Sequence, residues 1–354
     1  MPTPAATKTI AFAAQLACVE LPLRPRLAPW LTAVELGDER LQLRGAELAY
    51  TIRHAFLIDV FRAIEPLLDG TRTVDEIAEA GEPDIAGTTA VFLLKMLQAN
   101  GLLQAGGDDD ATTAEALVQW ERQLRFLGHF LADPAAAQAT LLQARVAVVG
   151  DPALAAEVEA ALGSLGVASA VTAAPGEIRS PGELAGADLV IACQESPGFA
   201  FFDAVNDACL GRGTRWLRVA VLGTTAQLGP TFVPYETCCY TCFDLRVRSH
   251  EPDLDGFSAY RAHAEVADEG ALAPLRAALA AEAALEAART LTGFAPPVTI
   301  GRFYELDAQT PKRVGHDVLK VPRCPSCGAG GPPREPWDLA LAGLAAEAAG
   351  DGAL

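Results

Sequence analysis

The chain has 354 residues, 51% of them apolar, and a formal net charge of −18. That length suits two or three domains, and the apolar share is enough for a real core, yet no stretch is as long and apolar as a membrane span. The acidic balance argues against duplex nucleic acid or an anionic membrane as the main partner. It would suit a basic protein partner, though solubility alone also accounts for it. The N-terminus lacks the charged start and unbroken apolar run of a secretory signal, so a cytoplasmic location is expected.

Residues 1–30 are rich in Ala and Pro, and Leu21-Pro22-Leu23-Arg24-Pro25 reads as an extended lead-in. Thr32–Leu36 and Arg40–Arg44 alternate around Gly37-Asp38-Glu39, a hairpin signal. Glu47–Arg53 alternates again, with Leu48, Tyr50 and Ile52 expected on the core face and Ala49 and Thr51 on the other. Helical spacing follows in Leu57, Val60, Phe61, Ile64, Leu67 and Leu68. Thr73-Val74-Asp75-Glu76 has the form of a capping box and opens a second helix. A third is expected over Thr88–Ala99, with Ala90, Leu93, Leu94 and Leu97 inward. Three short strands followed by three helices is a winged-helix pattern.

This stretch resembles the RiPP recognition element, the small winged-helix domain that binds leader peptides of ribosomally made natural-product precursors. The resemblance implies that a leader adds as a strand beside Glu47–Arg53 and packs against Thr88–Ala99. The peptide-binding candidates are then Glu47, Ala49, Thr51 and Arg53 on the strand, with Val91, Lys95 and Gln98 on the helix. Lys95 is the one cation of that helix, so DNA fits the surface less well than a peptide.

Gln104-Ala105-Gly106-Gly107-Asp108-Asp109-Asp110 reads as an acidic linker, which divides the chain into domains 1–107 and 108–354. Beyond it, Arg145-Val146-Ala147-Val148-Val149-Gly150 reads as a buried parallel strand. A helix over Ala153–Leu165 and a strand over Val167–Val171 complete the opening βαβ of a doubly wound α/β sheet. The turn Gly150-Asp151-Pro152-Ala153-Leu154-Ala155-Ala156 keeps only its first glycine. Pro152 removes an amide donor, Asp151 repels phosphate, and Ala155 adds a Cβ where a backbone should approach closely.

Trp120–Phe126 with its Arg122-Gln123 pair, the Gln138–Ala144 segment and the Arg145–Gly150 strand come in an order that resembles the ThiF-type, ubiquitin-activating-enzyme-like adenylation fold. The resemblance covers residues 114–330. It implies phosphate contacts from the glycine-rich turn and a magnesium-placing aspartate after the third strand, Ala187–Cys193, where this chain has Gln194. An amide lacks the charge that Mg²⁺ requires. An acidic residue followed by a ribose-binding segment is also missing after Val167–Val171. Adenylation is therefore not expected, and neither is ATP.

Cys239-Tyr240-Thr241-Cys242 and Cys324-Pro325-Ser326-Cys327 are two CxxC pairs. A two-residue spacing lets both sulfurs of a turn reach one tetrahedral ion at about 2.3 Å, and four thiolates leave no open position. Structural Zn²⁺ on Cys239, Cys242, Cys324 and Cys327 is the expectation, with Cys238 as an alternative to Cys239. Cys18, Cys193 and Cys209 are expected to be small buried side chains. Between the pairs, a helix over Ala271–Leu291 and a hairpin of Val298–Leu306 with Arg313–Leu319 are expected. Gly223–Pro230 is expected to lead into an edge hairpin. His250, His263, Tyr304 and His316 form no convergent set, so no catalytic residue is nominated.

The whole arrangement is similar to the leader-binding partner proteins of azoline-forming (TOMM) clusters, ocin-ThiF-like proteins in which a recognition element is fused to a degenerate ThiF-type domain. The resemblance implies a non-catalytic adaptor that presents a precursor peptide to a separate YcaO-type cyclodehydratase, with homodimerisation open. An atypical ThiF-type ATP-dependent adenylating or peptide-modifying enzyme is the alternative, followed by a zinc-stabilised scaffold.

Overall fold

The computed structural model describes residues 16, 18–37, 39–45, 48–80, 87–106, 118–173, 184, 186–263, 269–310 and 312–328. Two compact units make up the chain, residues 1–140 and 141–354. The alternating stretches of the first unit become β2 (Thr32–Glu35), β3 (Leu41–Arg44) and β4 (Ala49–Ile52), an antiparallel sheet in the order β2-β3-β4. Leu41, Leu43 and Ile52 are buried and Tyr50 packs beside them. Leu48, expected on that same face, is 37% exposed. Its cross-strand mate is Gly45, whose N–H donates to the Leu48 carbonyl at 2.8 Å and which has no side chain to cover it.

Three helices cover the sheet's inner face. In α1 (Ala55–Ile64) the residues Ile58, Val60, Phe61 and Ile64 are buried. A 3-10 turn over Glu65–Leu67 then leads towards α2 (Val74–Ala80). At the start of α2 the capping box is made in both directions: Glu76 N–H donates to Thr73 Oγ1 at 3.3 Å, and Thr73 N–H to Glu76 Oε2 at 2.7 Å. In α3 (Gly87–Ala99) the buried residues are Ala90, Leu93, Leu94 and Leu97, the face that its spacing predicts.

A second, two-stranded sheet arises from stretches whose sequence suggests none. β1 (Pro25–Leu27) pairs antiparallel with β5 (Leu103–Ala105), so the extended lead-in and the start of the expected linker form a ladder. Pro25 is tolerated there because it opens an edge strand. The unit then continues through α4 (Glu121–Leu127) and into α5 (Pro134–Gln143). Trp30 stacks on His129 with ring centroids 4.2 Å apart, and Ala105 N–H donates to Ala132 O at 3.2 Å. The acidic run Asp108–Asp110, at which the domain boundary was expected, lies outside the described residues.

The second unit is built on a seven-stranded sheet in the order β12-β11-β10-β9-β8-β6-β7. β6 (Arg145–Gly150), β7 (Ala168–Ala173), β8 (Leu189–Gln194) and β9 (Trp216–Leu222) are parallel. β10 (Thr225–Phe232), β11 (Arg302–Asp307) and β12 (Arg313–Asp317) continue the sheet antiparallel, which makes β10 an interior strand rather than the expected edge. Every residue of β8 is buried, as a central parallel strand requires. Arg145 N–H donates to Asp188 Oδ2 at 2.8 Å and pins the start of β6.

One face of the sheet is covered by α6 (Pro152–Gly163) and α10 (Ala273–Thr292). Of the leucines expected to face inward on α10, Leu279 is buried and Leu275 and Leu285 are half-buried. Ala280, Ala283, Ala284, Ala287 and Ala288 form the rest of that face. The other core contains Phe202 of α7 (Phe199–Arg212), Trp216, Phe232, and Tyr240 and Phe243 of α8 (Tyr240–Arg248). A short helix, α9 (Leu254–Ala262), is tied back by Arg261, which pairs with Asp203 at 2.9 Å and with Asp244.

Candidate metal centre and the carboxyl edge of the sheet

Cys239 is the N-cap of α8 in extended backbone, and Cys242 lies in the first helical turn, so their sulfurs converge at 3.8 Å. After β12 the chain turns back under the same helix. Arg323 takes a left-handed conformation (φ 56), and Gly328 N–H donates to Cys324 O at 2.8 Å, closing a tight turn around the second pair. Cys239 Sγ lies 3.7 Å from Cys324 Sγ, and Cys242 Sγ lies 3.6 Å from Cys327 Sγ. All four sulfurs fall within 4.8 Å of one another and all four residues are buried.

Tetrahedral coordination at about 2.3 Å places sulfurs about 3.8 Å apart, so the group has the dimensions of a tetrathiolate site and could hold a metal ion. The contact with Cys239 and the Val321 N–H, 3.3 Å from Cys242 Sγ, lower the pKa of the Cys242 thiol. Cys238 is buried yet stands outside the group, with its thiol pushed up to about 12 by burial. Cys193 and Cys209 are buried in the core as expected, whereas Cys18 is exposed.

The carboxyl ends of β6 and β8 mark the point where strand order reverses, the usual crevice for a ligand in a doubly wound sheet. Gly150 adopts φ 120, and a Cβ there would meet Cys193 O at 1.9 Å, so only glycine allows the two strand ends to close up. Asp151 N–H donates to Cys193 O at 2.8 Å. The Asp151 carboxylate accepts from Ala153 N–H at 3.0 Å, with Pro152 in the first helical position. The seat that a phosphate takes at a helix N-terminus thus already carries a carboxylate. Gln194 is buried at the end of β8 and accepts from Ser196 Oγ at 3.3 Å. Glu157 of α6 and Glu195 lie nearby, both bonded to Arg276 of α10, at 3.1 and 3.4 Å.

In the first unit, Arg122 is exposed, and Gln123 Nε2 donates to the buried Gln138 at 2.7 Å, joining α4 to α5. Of the peptide-binding candidates, Glu47 lies outside the described residues. Ala49 and Arg53 are exposed and Thr51 is half-buried. Gly45 N–H bonds to Leu48 O, so Leu48, Tyr50 and Ile52 turn their main chain towards β3. By alternation Ala49 and Thr51 turn theirs to the open edge. Val91, Lys95 and Gln98 form a half-buried stripe along α3, flanking the core on which Tyr50 and Ile52 also pack.

Sequence reasoning missed a polar row across the second sheet. Arg218 on β9 donates to Gln227 at 2.8 Å, Gln227 to Glu305 at 2.7 Å, and Glu305 lies 3.1 Å from His316. Arg218 is fully buried between the rings of Phe202 and Phe243, and burial pulls its pKa down to about 10. A polar residue in each of four successive strands is the only signal available, and it is invisible until the strand order is known.

Residues 156–329 match the ThiF family. No curated protein matches the chain. Among solved structures, the chain is similar to a heterocyclase in complex with substrate and cofactor, at 20% identity and a TM-score of 0.64, covering 86% of this chain and 39% of that one. The heterocyclase TruD is similar at 22% identity and a TM-score of 0.64, covering 87% and 43%. MccB of E. coli with MccA-N7isoASN is similar at 15% identity and a TM-score of 0.62, covering 86% and 99%. The chain thus spans less than half of either heterocyclase but nearly the whole of MccB. At these identities the likeness establishes the α/β fold alone, and the ThiF-type domain rests on the family match over residues 156–329.

Proposed function

We propose that this protein is a non-catalytic partner in the biosynthesis of ribosomally made, modified peptides. Its N-terminal part is a winged-helix recognition element that holds the leader of a precursor along the open edge of β4. It presents the remainder of the precursor to a separate YcaO-type cyclodehydratase, which forms azolines. The fold neighbours support a role in such a pathway, since two are heterocyclases and the third was solved with MccA-N7isoASN. The zinc-sized thiolate group supports a structural Zn²⁺ on Cys239, Cys242, Cys324 and Cys327, with no position left for a reacting ligand.

One observation carries the non-catalytic part of the reading: the Asp151 carboxylate on Ala153 N–H, where a nucleotide phosphate would otherwise sit. Reconstitution tests it. The purified chain, a YcaO-type enzyme encoded beside its gene and the matching precursor are combined with ATP. Azoline formation should require all three, and the chain alone should neither consume ATP nor exchange pyrophosphate. The match to the ThiF family favours a second reading, an atypical adenylating or peptide-modifying enzyme. Peptide-dependent pyrophosphate exchange by the chain alone would establish that reading in place of the first.

A further inference from the structure

Helix α8 begins at the metal centre without the usual cap. The first amides of a helix have no partner inside it, and an N-cap side chain normally accepts from one of them. The N-cap here is Cys239, in extended backbone at φ −101 and ψ 176, and its side chain makes no cap bond. Its sulfur belongs to the thiolate group instead. The first hydrogen bond that the helix itself closes runs from Phe243 N–H to Cys239 O, at 3.0 Å. Tyr240 N–H is thus left over, in a residue only 2% exposed. A buried amide without a partner costs about 1–3 kcal/mol.

The missing acceptor comes from another helix. Asn206 stands in the middle of α7, and its Oδ1 accepts from Tyr240 N–H at 2.9 Å. The other buried residues of α7 are Phe202, Val205, Ala208, Cys209 and Leu210, all of them apolar. An asparagine among them, 1% exposed, sacrifices both helix propensity and apolar burial. The amide cannot face Tyr240 the other way round, because its nitrogen has nothing to accept with; Nδ2 lies 3.4 Å from Asp207 Oδ1.

The contact bears on the metal centre through the backbone. Tyr240 N–H belongs to the peptide that joins Cys239 to α8, so its anchor fixes Cys239 against the first helical turn, where Cys242 lies. That setting leaves Cys239 Sγ 3.8 Å from Cys242 Sγ, the spacing of two ligands on one tetrahedral ion. We propose that Asn206 is a positioning residue for the metal centre: it supplies the cap that Cys239 lacks and holds the first cysteine pair at ligand spacing before an ion arrives. The proposal rests on the reading of the four cysteines as a zinc site. Partners that orient metal ligands typically change metal affinity by about 10- to 100-fold when they are removed.

Zinc affinity of the full chain, read by chelator competition, tests the proposal with three variants. Asn206→Leu keeps the volume and removes the acceptor, and should weaken zinc binding about tenfold or more. Val205→Ala, also buried in α7, loosens the packing but leaves Tyr240 N–H its acceptor, so its loss of zinc affinity should be much smaller. Asn206→Asp keeps an oxygen of the same reach in either protonation state and should bind zinc more tightly than Asn206→Leu. In the zinc-loaded wild type, the Tyr240 amide hydrogen should exchange as slowly as that of Phe243. An Asn206→Leu chain that loses no more affinity than Val205→Ala overturns the proposal, as does Asn206→Asp binding no tighter than Asn206→Leu. A Tyr240 amide that exchanges much faster than that of Phe243 overturns it too, and decides the matter should Asn206→Leu fail to fold. A wild type that binds no zinc removes the metal reading and the proposal together, whereas each of the other failures leaves that reading standing.

Discussion

The Thr241 hydroxyl lies 2.7 Å from the Ser326 hydroxyl, so the interiors of the two CxxC turns are bonded directly to each other as well as through the thiolate group. This contact holds the two turns in register, and it separates two contributions that can be measured independently.

The metal contribution should be the larger. Zinc is expected at one ion per chain, and Cys327→Ser or a strong chelator should strip it and lower the melting temperature by about 10 °C or more. Thr241→Ala should keep the zinc and cost about 1 kcal/mol. Metal analysis and thermal melts read both.

Nucleotide should not bind. With Asp151 capping α6 and Gln194 at the end of β8, calorimetry is expected to show no ATP binding at millimolar concentration or below. Asp151→Gly frees Ala153 N–H; weak ATP binding by that variant alone would identify the carboxylate as the element that blocks the seat.

Peptide should bind through main chain on β4. Thr51 N–H faces the open edge, so Thr51→Pro removes a donor to the leader without touching the β3 ladder. The expected loss is about 1 kcal/mol, a several-fold weaker complex by fluorescence anisotropy. Full affinity in this variant would move the groove elsewhere.

A fragment of residues 1–140 should fold and bind leader, whereas one of residues 1–107 should melt lower. The shorter piece loses His129 from its stack on Trp30 and the Ala132 carbonyl from Ala105 N–H. Circular dichroism of the two fragments makes the comparison.

The capping box at α2 gives a pH signature. The Thr73 N–H, with help from its hydroxyl, lowers the Glu76 pKa. A carboxylate whose folded pKa is depressed contributes stability above its unfolded pKa and loses it as the pH falls through the folded value. Thr73→Ala should lower the melting temperature by about 3 °C at neutral pH, and by less at acidic pH, where Glu76 is protonated.

Much of this was legible in the sequence, for identifiable reasons. β6 stands out because four consecutive apolar residues follow Arg145, and the inner face of α3 because Ala90, Leu93, Leu94 and Leu97 keep a helical period. The cysteine group is legible because two local spacings report a shared ligand geometry without reference to distance along the chain. The β1–β5 ladder is not, since three-residue strands carry no period and their partners are remote. Nor is the buried Glu286 of α10, whose carboxylate is satisfied by Thr299 N–H and Oγ1, both at 2.7 Å. A charged residue on an alanine-rich helix looks solvated until the loop that receives it is known.

The two knuckles clasp positions far apart in the chain, with α9, α10, β11 and β12 strung between them. A protease that nicks one bond anywhere in that span would produce two fragments that still travel together on a sizing column. With the thiolates engaged, the clasp works as a rivet across the break, and the pieces part only when it is removed and the sheet is melted.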